Sequence, residues 1–170
     1  MPGAHRAIPS GSTRAEPDQP ASIRELLGAG RPARRASDGV SAVVVLGDDL
    51  VATRAVATGL ARAQAGHRRA FLAHLVPESE AHDEDLPGLS DMVLYGVSLG
   101  RAARATPTSP NLFTIDPGAE GVLSADMLAS RRWFSLSEQV QRMGALLILS
   151  APASVPDIAT LARQVDGALT

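Results

Sequence analysis

The chain has 170 residues, 45% hydrophobic and 20% charged, with a net charge of −2, a balance that suits one globular domain and argues against non-specific nucleic-acid binding. It has no cysteine, and all sixteen basic residues are arginine. Disulfides, thiolate metal sites, cysteine nucleophiles, Schiff-base lysines and a phosphate-loop lysine are thereby excluded. Aromatics make up 3%, so the core has to be aliphatic. No apolar run reaches the ~18 residues of a transmembrane helix, and the N-terminus lacks a signal-peptide core; a cytoplasmic protein is expected.

Residues 1–40 carry Pro2, Pro9, Pro17, Pro20 and Pro32 among Gly, Ser and Arg. Such a segment cannot bury enough apolar surface to offset its ordering entropy, and a largely disordered tail is expected. A short helix near 22–28 is the exception, with Ser22 as cap, Glu25 three residues on and Gly28 as stop. The folded domain is expected over 41–170. SAVVVLG reads as a buried strand and LVATRAVATGLARAQAG as a helix, capped by Asp48 or Asp49 and stopped by Gly66. RAFLAHL is a second strand, followed by a polar loop. LSDMVLYG and SLGRAARA read as short helices, capped by Ser90 or Asp91 and by Ser98. NLFTI is a third strand, LSADMLASRRWFSLSEQVQRMG a helix, ALLILS a fourth strand and VPDIATLARQVDG a helix. ALT begins a fifth strand, where the chain ends, so a sheet edge is expected to await a partner.

Strands alternating with helices imply an α/β fold, a mostly parallel sheet of about four or five strands flanked by helices on both faces. The segment GLSDMVLYGVSLGRAARATPTSPNLFTIDPG then resembles the middle of the bacterial tyrosine autokinases, P-loop ATPases of the MinD/ParA-like superfamily that regulate capsule and exopolysaccharide synthesis. The matching residues are Gly88, Leu89, Ser90, Asp91, Leu94, Gly96, Leu99, Thr108, Asn111, Leu112 and Gly118. Leu128 and Ser130, the ALLILSAP strand with the segment after it, and ASIRELLGAG resemble further parts of that pattern, so the likeness spans residues 21–170. It implies a P-loop-like domain that forms homo- or hetero-oligomers.

The departures fall on the chemistry. The phosphate loop of that family needs glycines, a lysine and a hydroxyl. Here it reads Gly47, Asp48, Asp49, Leu50, Val51, Ala52, Thr53, Arg54, with Thr53 in the lysine position and Arg54 in the hydroxyl position. Two aspartates stand where phosphate would go, and at ~4 Å each like-charge contact costs from about 1 to several kcal/mol. His74 and Leu149 occupy strand ends where the family has metal-handling aspartates. The resulting expectation is a degenerate nucleotide pocket and a chain that is not an enzyme, with no catalytic residue, cofactor or metal. It would be an interaction or scaffold subunit of an exopolysaccharide, capsule or cellulose system. Its partner would be a membrane component of that system or a related ATPase, which could recruit it to the inner face of the membrane. The alternative is a nucleotide-independent positioning or assembly regulator of the ParA/MinD kind.

Four further features carry two readings each. Glu78, Glu80, His82, Asp83, Glu84 and Asp85 could ligate a hard cation, or form a solvated loop. His74 could be a general base at a strand end, or a polar residue left at a decayed site. Arg131, Arg132, Trp133 and Phe134 could grip a partner, or combine a core-facing Trp with solvated arginines. The tail arginines Arg31, Arg34 and Arg35 read as a solvated linker or a contact for acidic surfaces.

Overall fold

The β-branched run after Ser41 becomes β1, Ala42–Gly47. The computed structural model describes residues 39–76, 86–120 and 122–170. The expected tail helix, the tail arginines and the acidic segment from Glu78 to Asp85 lie outside these residues. After β1 come α1 (Leu50–Ala65) and β2 (Ala70–His74). Two short helices, α2 (Leu89–Tyr95) and α3 (Leu99–Ala102), lead into a hairpin of β3 (Ala103–Thr106) and β4 (Ser109–Ile115). The chain continues through α4 (Ala125–Ala129), α5 (Arg132–Arg142), β5 (Leu146–Pro152), α6 (Ile158–Ala162) and β6 (Gly167–Leu169).

The six strands lie in the order β3-β4-β2-β5-β1-β6. All neighbours are parallel except β3, which runs antiparallel on β4. Parallel strands are joined by crossovers that cover the sheet. On one face α1 packs Ala57, Leu60 and Ala61 against Val43, Leu72 and Ile148. On the other face Leu89, Leu128, Trp133 and Leu161, from four helices, pack on Val44, Phe71, Leu147 and Leu149. This is the α/β architecture that the strand–helix alternation implies. Among the described residues no helix is long and apolar enough to cross a membrane.

Several boundaries differ from the sequence reading, which had about four or five strands. The additional strand is β3. ARAT carries helix-forming residues, but Thr106 Oγ1 donates to the carbonyls of Ser109 (3.1 Å) and Leu112 (3.0 Å) and closes a turn that holds Pro107. The long helix expected over 123–144 breaks at Ser130, whose backbone is extended. There Trp133 Nε1 donates to the Met127 carbonyl at 2.7 Å and ties the start of α5 to α4. The helix expected from Val155 starts only at Ile158, after Asp157 at φ 63°. At the opposite end of the sheet, Asp166 Oδ2 accepts from Ser41 N (2.9 Å), Ser41 Oγ (2.6 Å) and Ala42 N (3.0 Å), and Ser41 Oγ meets Ser137 Oγ at 3.0 Å. One carboxylate thus ties the start of β1 to the entry of β6 and, through Ser41, to α5.

The α2 N-cap is Gly88, not Ser90 or Asp91. Asp91 Oδ2 accepts from Gly88 N at 2.8 Å, while Leu89 N and Ser90 N donate to the carbonyls of Asp116 and Pro117, each at 2.8 Å. The two backbones touch so closely that a methyl group on Gly88 would collide with Gly118 N and the Asp116 carbonyl. Gly118 itself sits at φ 93°, a conformation open to glycine. The GLSD and PG elements are therefore the two halves of one junction between α2 and the end of β4. Gly88→Ala is expected to lose about 3 kcal/mol of stability by overpacking. Gly100→Ala, with nothing within 4 Å of the added carbon, should be neutral or stabilising by up to about 1 kcal/mol. Urea denaturation of the two variants compares them directly.

Candidate functional site

The C-terminal ends of β1, β5 and β2 lie side by side, with Gly47 opposite Pro152 and His74 opposite Ser150. This is the edge at which open α/β sheets bind ligands. Asp49, in extended conformation, caps α1: its Oδ1 accepts from Val51 N (2.9 Å) and Ala52 N (3.1 Å). The Asp49 carbonyl accepts from Thr53 N (2.8 Å) and Thr53 Oγ1 (2.6 Å). Thr53 is buried, and a methyl group on Gly47 would collide with its Oγ1. Asp48 is exposed, and Arg54 is half-buried in the first turn of α1.

A phosphate loop holds its ligand by directing free backbone N–H groups and the positive end of a helix at it. In this loop two of those N–H groups already donate to the chain's own carboxylate, and a further first-turn N–H and the Thr53 hydroxyl donate to a carbonyl. As folded, the stretch from Gly47 to Arg54 turns the Val51 and Ala52 N–H groups onto Asp49. Among the described residues no group of three or more His, Asp or Glu is placed to hold a metal.

His74 is brought to this edge, and Leu149 is not. His74 Nδ1 lies 2.6 Å from Ser150 Oγ, bridging β2 and β5. Side chains alternate along a strand, so Leu149 points the other way and is fully buried in the core against the helices of the opposite face. Ser150 is the residue that faces His74, and its place follows from a strand order that local sequence does not reveal. An imidazole accepting a hydroxyl proton is a nucleophile-activating arrangement. Ser150 is only 2% exposed, so in this state the pair joins two strands.

The basic-aromatic cluster divides. Trp133 is 1% exposed and hydrogen-bonded inside the core, the core-facing one of its two readings, so it is not part of a binding surface. Arg131, Arg132 and Phe134 are exposed at the start of α5. Tyr95, the one tyrosine in the chain and part of the segment that resembles the autokinases, is 65% exposed at the end of α2 and donates its hydroxyl to Glu120. That hydrogen bond, and then the charge of the Glu120 carboxylate, raise the phenol above its ordinary value of 10.0. A raised value favours the protonated phenol in the folded state. The contribution is therefore complete below 10.0 and fades as pH rises through the raised value. Because Tyr95 is alone, ultraviolet titration of the phenolate band reads this group directly. The midpoint should lie above 10.0 and fall toward it in Glu120→Gln.

No family model and no curated protein matches the chain. Solved structures do. The kinase domain of the Escherichia coli tyrosine kinase ETK superposes with a TM-score of 0.63 at 17% identity, over 79% of this chain and 55% of that one. The VpsO kinase domain gives 0.62 at 19% identity, over 76% and 68%. The BceF tyrosine kinase domain gives 0.54 at 24% identity, over 71% and 52%. The chain thus spans about half the length of the ETK and BceF domains it matches. These findings overturn the expectation that the chain is not an enzyme: it rested on the loop sequence, whereas the solved domains of the same architecture are tyrosine kinases, and nothing here is evidence of lost activity. By overall superposition, the six-stranded α/β chain has the fold of these tyrosine kinase domains.

Proposed function

We propose that this domain serves a polysaccharide synthesis or export system, of the exopolysaccharide, capsule or cellulose kind, and that it works there by engaging a protein partner. The fold shared with the ETK, VpsO and BceF kinase domains supports the link. The observation that carries the partner reading is the distribution of what is kept. The segment most like the autokinases forms the α2–β4 junction, a packed backbone device with Gly88 and Gly118 in contact distance. The residues that differ sit at the strand ends. Retaining the junction holds α2 and its surroundings in a fixed position, which is what a recognition surface requires.

The partner is a membrane component of the polysaccharide system or a related ATPase. Binding it makes the domain part of a homo- or hetero-oligomer at the inner face of the membrane. Deleting the gene in its own host should lower secreted or surface polysaccharide severalfold, with recovery on complementation. Unchanged polymer in the deletion strain would overturn the proposal.

A further inference from the structure

Between α2 and α5 runs an open groove of about 440 Å³. Its floor is the outer surface of the core, formed by the buried side chains of Met92, Val93 and Leu136. Its rim is polar: Arg132, Ser135 and Gln139 follow one another at helical spacing along α5. Among the described residues no acidic side chain lines it. Arg132 lies across Gly96, the left-handed cap of α2 at φ 74°, where a methyl group would overlap the guanidinium. Glycine at that cap leaves the room the guanidinium occupies. No carboxylate among the described residues lies within ion-pair distance of Arg132.

The helix does not explain these charges. Arg131 and Arg132 stand at the N-terminal end of α5, with no acidic residue in the first turn. Cations are favoured at the opposite end of a helix. An exposed arginine beside an apolar floor instead suits a ligand that brings both a carboxylate and an apolar side chain, since guanidinium–carboxylate pairing is charge-assisted and directional.

We propose that this groove binds an acidic segment of a protein partner, seating an aliphatic side chain on Met92 and Leu136 and a carboxylate on Arg132. The inference rests on the partner reading above and names the surface that serves it. A fluorescein-labelled peptide of alternating Glu and Leu, titrated with the full chain and followed by fluorescence polarisation, probes it. Binding is expected, with about tenfold loss in Arg132→Gln, the scale of one charge-assisted hydrogen bond. A comparable loss is expected in Ser135→Glu, which places a like charge in the groove. Arg142→Gln, at the far end of α5, should bind as the wild type does. Equal binding of the matched Gln–Leu peptide, wild-type affinity in Arg132→Gln, no binding at all, or closure of the groove by a second copy of the chain in sedimentation would each overturn the proposal. In the host, Arg132→Gln should fail to restore polymer to the deletion strain. Full restoration by that variant would remove the groove and leave the partner reading standing.

Discussion

The carboxylate of Asp49 shapes the C-terminal edge of the sheet. It takes two first-turn N–H groups of α1, while the carbonyl of the same residue takes the Thr53 N–H and hydroxyl. Thr53 in turn fills the space beside Gly47. The loop that leaves β1 is thereby closed on itself, and the positive end of the longest helix faces an anion that is part of the chain. A side-chain cap of this kind stabilises a helix by about 1 kcal/mol. The same contact places negative charge at a helix N-terminus, where free amides favour an anion.

The rest of the molecule is built to hold that edge rigid. β1, β5 and β2 run parallel through the centre, apolar on both faces, and among the described residues α1 covers one side and five helices the other. Two polar fastenings secure the periphery: the Asp166 carboxylate at the opposite end of the sheet, and the Gly88–Gly118 junction between α2 and β4. The junction also sets where α2 lies, and α2 supplies one wall of the groove that Arg132 overlooks. The stabilising junction and the proposed recognition groove therefore share α2. The His74–Ser150 bond links two strand ends and leaves both groups at the edge where chemistry in such sheets is placed.

Much of this architecture is legible in local sequence. The runs AVVVL and LLIL admit a buried strand and little else, Asp49 caps α1 as capping rules require, α1 ends at Gly66, and GAL does join the sheet. What escaped depends on contacts distant in sequence. ARAT has helix-forming residues, and becomes a strand because β4 lies beside it. The break at Ser130 follows from Trp133 reaching Met127. At the site, Asp48, Asp49 and Thr53 are local to one loop and were readable. Ser150 opposite His74 requires knowing that β5 lies next to β2, and Trp133 in the core requires knowing which side of α5 is covered. Motif register suggested Leu149 for the edge, yet strand alternation turns it inward.

The Asp49 carboxylate opposes an anion at the start of α1 in two ways, by its charge and by the two N–H groups it takes. Asparagine keeps the capping hydrogen bonds and removes the charge, so Asp49→Asn separates the two. Isothermal titration of wild type and variant with Mg-ATP should give an affinity at least about fivefold tighter in the variant, the scale of one like-charge contact of about 1 kcal/mol. Identical titrations, with or without heat, would contradict it.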